Sequence, residues 1–203
     1  MSDTVVLDGI RWETYEQLRD DLDAKERQVH LTFDRGCLEI EESPLPIHED
    51  RAWLLAHVVE IVAEERGIDY LPGGSTTFRR GALGRGAEPD ACYFLGASVP
   101  DAEVLDPDSA APDLVIEVDI THRTVDKIGL YAGMGVAEVW QDDGAAVTIL
   151  VLEDGAYVPV SESRLLPGLD DATLTRFAAE GQGRRRTAWL RAVRAWARQG
   201  GPR

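Results

Sequence analysis

Two acidic residues, Glu117 and Asp119, stand two apart in the apolar run Leu114-Val115-Ile116-Glu117-Val118-Asp119-Ile120. Strand side chains alternate, so both carboxylates point to one face of the strand this run predicts. Two carboxylates on one face of a buried strand repel each other. They are tolerated where the strand end is solvated, or where a cation bridges them. Hard divalent cations such as Mg²⁺ take oxygen ligands of this kind. A third carboxylate, Asp90, follows Pro89 at the start of another predicted strand.

Lys127 is the second pointer. The chain has 19 Arg but only two Lys, Lys25 and Lys127. An ammonium is compact and can shift its pKa, whereas a guanidinium stays charged, so a lysine in an arginine-using sequence carries information. Lys127 lies ten residues after Glu117. A short strand–helix loop brings it back over the C-terminal end of the strand, where open α/β sheets hold ligands. The alternative is a surface lysine in a helix ion pair. His30, His57 and His122 form no HExxH pattern, and no GxxxxGK[ST], GxGxxG or GxSxG occurs, so zinc-hydrolase, nucleotide-dependent and serine-hydrolase readings lack support.

The elements that must position these groups follow from periodicity. Trp12 to Lys25 has helical spacing, and Val29–Phe33 with Cys37–Ile40 reads as a hairpin around Asp34-Arg35-Gly36. Pro44 and Pro46 break the pattern. His48 to Arg66 reads as a long helix with the stripe Trp53, Leu54, His57, Val58, Ile61 and Val62, closed by Gly67. Short strands are expected at Tyr70-Leu71, Ser75–Phe78 and Asp90–Leu95, with Gly81–Gly86 a loop. Asp113–Ile120 suits a strand buried on both faces, and a helix from about Arg123 to Met134 follows. Ala137–Gln141, Ala145–Leu152 and Gly155–Val160 read as strands, and two helices finish the chain. Strand, helix, strand from Leu114 to Val139 predicts a crossover joining parallel strands. The order implies an α/β fold with a mixed sheet and helices on its faces.

The 203 residues fit one domain, and 44% apolar content supports a packed core. No apolar run is long enough for a membrane span, and Met1–Asp8 lacks signal-peptide character. Cys37 and Cys92 fit no zinc spacing and read as reduced thiols in a cytoplasmic protein. The net charge of −16 opposes a broad phosphate-binding surface. Residues 1–170 carry a balance of −22 and residues 171–203 one of +6. Arg184, Arg185, Arg186, Arg191, Arg194 and Arg198 therefore form either the one phosphate-facing surface or a solvated helix face. Trp189, Leu190, Val193 and Trp196 form a stripe expected to dock that helix on the domain.

Several ordered segments resemble a known family. They are Glu88-Pro89-Asp90, Pro112 to Thr121, Lys127-Ile128-Gly129-Leu130-Tyr131-Ala132, Gly135-Val136-Ala137-Glu138-Val139-Trp140 and Leu166-Pro167-Gly168-Leu169. Together, from about Thr14 to Phe177, they resemble the Uma-two family of restriction-endonuclease-like bacterial proteins in the PD-(D/E)XK nuclease superfamily. The resemblance implies a restriction-endonuclease-like mixed central sheet flanked by helices. It implies a helical segment over 1–28, the nuclease-like domain over 29–180, and a basic helix over 181–203 packed on it. Asp90 and Glu117 would ligate Mg²⁺ or Mn²⁺, with Asp119 as a further ligand or a partner of Lys127. The motif's lysine normally stands two residues after the second acid, a place Asp119 occupies here. The family's use of a lysine from the following helix points to Lys127. His48 opens the first long helix where the family often has His, with a helix-start polar residue as the alternative; Glu60 is a second acidic candidate on that helix or part of a solvated face; and Tyr131 stands one turn beyond Lys127, where it braces it or packs in the core.

The activity implied is metal-dependent hydrolysis of DNA phosphodiester bonds. Two alternatives come from the acidic body and Asp119: a nuclease-fold protein that binds or assembles without cutting, and a metal-dependent hydrolase of small phosphate esters. A homodimer through apolar edge strands near Val147–Leu152 belongs to the first alternative.

Overall fold

The structure is a computed structural model that describes residues 4–25, 29–42, 46–100, 106, 108, 110–119 and 126–200. The elements are β1 (Thr4–Leu7), α1 (Trp12–Asp23), β2 (Val29–Asp34), β3 (Cys37–Glu42), α2 (Pro46–Arg66), β4 (Tyr70–Pro72), β5 (Phe78–Arg80), β6 (Arg85–Ala87), β7 (Ala91–Leu95), β8 (Leu114–Val118), α3 (Lys127–Met134), β9 (Glu138–Asp142), β10 (Val147–Glu153), β11 (Ala156–Val160), α4 (Asp171–Gly181) and α5 (Arg186–Gln199). The expected start of the third helix near Arg123, like Pro44, lies outside the described residues.

A six-stranded sheet in the order β11-β10-β9-β8-β7-β4 forms the centre. It is mixed: β8 and β9 run parallel, joined through α3, and the remaining neighbours are antiparallel. All five residues of β8 are buried. Leu114 and Ile116 face one core, with α2, α4 and α5, and Val115 faces the other, with α3. This is the double burial that the unbroken apolar run requires.

A second, five-stranded antiparallel sheet, β1-β3-β2-β6-β5, stands beside the first, where one mixed sheet was expected. Two of its strands are too short to announce themselves by alternation. The segment expected to be a loop, Gly81–Gly86, makes a single 3₁₀ turn and then enters β6, and the segment 1–28, expected to be helical, also supplies β1. The strand expected over Ser75–Phe78 begins only at Phe78. The hairpin between β2 and β3 turns through Arg35 (φ 46°) and Gly36 (φ 98°), both left-handed, which matches the right-handed strand twist. Tyr15 of α1 stacks on Phe33 of β2 at 5.1 Å and closes the apolar side of this sheet.

Pro46 stands at the first helical position of α2, where its missing N–H costs nothing. The buried face of α2 is wider than the expected stripe. Leu55 and Val59 join Leu54, Val58, Ile61 and Val62 in the core, because α2 is covered by the sheet on one side and by α4 and α5 on the other. Trp53 and His57 instead stack on each other at the rim. Val147–Leu152 is no edge. It lies in β10 between β9 and β11, so the edge strand is β11, which carries Pro159.

The basic C-terminal helix docks on α2 through Trp189, Val193 and Ala197. Arg194 reaches Glu64 at 2.8 Å and Glu65 at 2.9 Å, Arg198 reaches Glu65 at 2.7 Å, and Arg186 pairs with Asp50. Half of the expected phosphate-facing row thus neutralises the acidic flank of α2. No described helix is long and apolar enough to cross a membrane.

Candidate active site

The register of β7 on β8 pairs Ala91 with Ile116. One residue before that pair, Asp90 precedes β7 beside the end of β8, and its carboxylate turns to α2 while that of Glu117 turns to α3. The site therefore forms at the C-terminal end of β8, where β7 begins and β9 ends. Asp90 is fixed by the backbone: Val118 N–H donates to its Oδ2 at 2.7 Å. His48 Nε2, from the first turn of α2, stands 3.3 Å from the same oxygen. Both side chains are almost fully buried.

Glu117 points to the α3 side. Lys127 Nζ lies 3.0 Å from its Oε2 and 3.3 Å from its Oε1, and the Tyr131 hydroxyl donates to Oε1 at 2.5 Å. Lys127 is the first residue of α3, whose N-cap Asp126 accepts from Gly129 N–H at 2.9 Å. That cap fixes where the helix starts, and so which residue overhangs the strand end. Tyr131, one turn later, is buried in the α3-side core, and its hydroxyl holds Glu117. Lys127 also donates to the Glu88 carbonyl at 3.4 Å.

Asp119 continues β8 past its last paired residue, half-buried, with its N–H donating to the Asp142 carbonyl at 2.7 Å. Among the described residues, no three His, Cys, Asp or Glu side chains gather into a preformed ligand cage. The donors present are hard carboxylate oxygens, and a carboxylate has about four lone-pair sites. That set fits Mg²⁺, which takes one or two carboxylates and fills its remaining positions with water and substrate phosphate. Glu60 lies apart from the Glu117–Lys127 pair. It accepts from the Tyr93 hydroxyl at 3.0 Å and shares with Asp90 an open cleft of about 870 Å³ between α2 and β7. Burial and the Glu60 charge push the Tyr93 phenol up, so it stays a donor.

Two residues of this region escaped sequence reading. Arg51, one turn after His48, makes two bonds of 2.7 Å to Asp142 at the end of β9, with both side chains buried. Asp142 pairs in register with Val118, and it also receives Gly144 N–H at 2.9 Å. It thus ties α2, the end of β8 and the β9–β10 turn together beside the site. The available signal was an arginine in the buried part of an otherwise apolar helix. At the other end of β9, away from the site, the buried Glu138 collects Trp140 Nε1, the Ser163 hydroxyl and Arg164 N–H.

A crystal structure described as a "putative nuclease belonging to DUF820", from Anabaena variabilis, shares the fold. It matches at a TM-score of 0.52 and 16% identity, covering 79% of this chain and 90% of that one. No curated protein matches the chain. Residues 12–182 match the model of the Uma2 (Uma-two) family, whose description reads "Putative restriction endonuclease". That span holds every one of the site residues built above, and the chain belongs to the Uma2 family.

Proposed function

We propose that this protein is a divalent-metal-dependent endonuclease that hydrolyses DNA phosphodiester bonds. One observation carries the reading: at the end of β8 the buried Glu117 is held by Lys127 Nζ at 3.0 Å, and Asp90, bonded to Val118 N–H of the same strand, lines an open cleft. The description of the Uma2 family and that of the Anabaena protein point the same way.

Asp90 and Glu117 would hold Mg²⁺ or Mn²⁺, with Asp119 as a further oxygen donor; the ion supplies Lewis acidity toward a phosphate and a more acidic water. The protein's own part is positional and electrostatic. His48 and the Val118 N–H fix the Asp90 carboxylate, and Tyr131 fixes that of Glu117. Lys127, held against Glu117, supplies a fixed positive charge for the oxygens of a phosphate in attack. Its place on α3 rather than two residues after Glu117 leaves the ammonium at the same strand end.

The test is nicking of supercoiled plasmid with Mg²⁺ or Mn²⁺ by the wild type and by Asp90→Asn and Glu117→Gln. Loss of the order of 100-fold or more in each folded variant is expected. Nicking that survives unchanged in both removes this site from the reaction.

A further inference from the structure

Ten of the described arginines ion-pair with a carboxylate. Arg184 and Arg185, in the turn between α4 and α5, are exposed and make no ion pair with a described residue. In a chain of net charge −16, an unneutralised pair of adjacent guanidiniums is a local exception to the field of the whole molecule.

The turn that carries them is built rigidly. Gly181 lies so close to Leu54 that a Cβ there would stand 2.3 Å from its Cδ2. Gly183 adopts φ 65° and donates its N–H to Asp50 at 3.1 Å. Arg51 donates to the Gln182 side chain at 3.4 Å, and Arg186 donates to the Gly181 carbonyl and pairs with Asp50. Asp50 and Arg51 follow His48 within one helical turn. Arg186 and Asp90 line the same cleft. The turn is therefore moored to the part of α2 that reaches Asp90, and Arg184 and Arg185 directly precede Arg186, which lines the cleft.

We infer that the α4–α5 turn is a clamp for the DNA backbone, in which Arg184 and Arg185 take phosphates flanking the one presented to Asp90. The planar forked guanidinium suits phosphate oxygens. With Arg194, Arg198 and Arg186 spent on α2, these two are the charges of the basic helix region that remain next to the site. The inference rests on the nuclease reading for its substrate, but binding tests it apart from cleavage.

The experiment is fluorescence anisotropy in EDTA with a fluorescein-labelled DNA duplex carrying single-stranded arms. Wild type, the double variant Arg184→Ala/Arg185→Ala and the control Arg191→Ala, on the exposed side of α5, are compared over a range of salt. The double variant should lose affinity on the order of tenfold and lower the slope of log affinity on log salt by about 2, while Arg191→Ala leaves both near wild type. Wild-type affinity in the double variant, an equal loss in Arg191→Ala, or no binding by the wild type overturns the clamp. Binding that depends on Arg184 and Arg185 without any cleavage in Mg²⁺ or Mn²⁺ retires the nuclease reading and leaves the clamp standing. Cleavage with binding indifferent to the turn does the reverse.

Discussion

A carboxylate and an ammonium buried against each other have lost most of their hydration, and their attraction only partly offsets that loss. Glu117 and Lys127 are in this position, exposed by only 3% and 6%. A pair maintained solely for stability is replaceable by neutral groups of similar volume; a pair maintained for chemistry is not. Lys127→Met alone should cost about 3–5 kcal/mol in urea unfolding, because it strands Glu117. The double variant Glu117→Gln/Lys127→Met should recover most of that stability while remaining inactive in plasmid nicking. Cleavage that returned together with stability would reduce the pair to a packing device. Tyr131 sharpens the same point, since its bond to Glu117 leaves the carboxylate little freedom to turn away from the strand end.

At the level of elements, α2 is the member that both sides of the site share. Its first turns supply His48 to Asp90 and Arg51 to Asp142, and its last turns carry Glu64 and Glu65 against α5. Hydrogen bonding from Arg198 outweighs partial desolvation and, with the charges of Arg198 and Arg194, holds the Glu65 carboxyl below the usual carboxylate range. A depressed folded-state pKa means that the stabilisation is present above the unfolded pKa and lost as pH falls through the folded one. Glu65→Gln should therefore melt below the wild type at neutral pH, and the gap should close on acidification past the ordinary glutamate range. A gap constant with pH, in parallel thermal melts, would show that the α2–α5 contact is held by Trp189 and Val193 alone.

For the whole molecule, the two sheets divide the work. The mixed sheet holds the carboxylates, and the five-stranded sheet stands on the α3 side, where Arg85 of β6 crosses Gly133 and bonds Asp34 of β2. Cys92 reports on the integrity of that side. It is fully buried in the core between β7 and α3, and burial pushes its thiol up to about 12 despite a backbone hydrogen bond from Gly73. Thiolate is the reactive form, so Cys92 should be inert to a disulfide reagent until the core opens. In a Cys37→Ala background, its labelling rate should track global unfolding across denaturant concentrations. Labelling at a rate independent of denaturant would mean that this core opens locally, away from the cooperative transition.

Strand alternation put Glu117 on one face of β8, the position after Pro89 marked Asp90, the scarcity of lysine singled out Lys127, the order of elements implied a mixed sheet, and the family pattern added His48. These are short-range signals, because a strand's period and a residue's rarity need no knowledge of what lies opposite. The Arg51–Asp142 bond joins residues 91 apart, and Asp142 fits a turn equally well when read alone. Strands of three and four residues, β6 and β1, give alternation too little length to register. The charge count located a basic tail, but only packing decided that three of its arginines pair with carboxylates of α2 and that Arg184 and Arg185 are exposed with no ion pair to a described residue. Local periodicity and residue rarity singled out the candidate residues; long-range pairing, which depends on three-dimensional proximity, decided what holds them and which charges pair with one another.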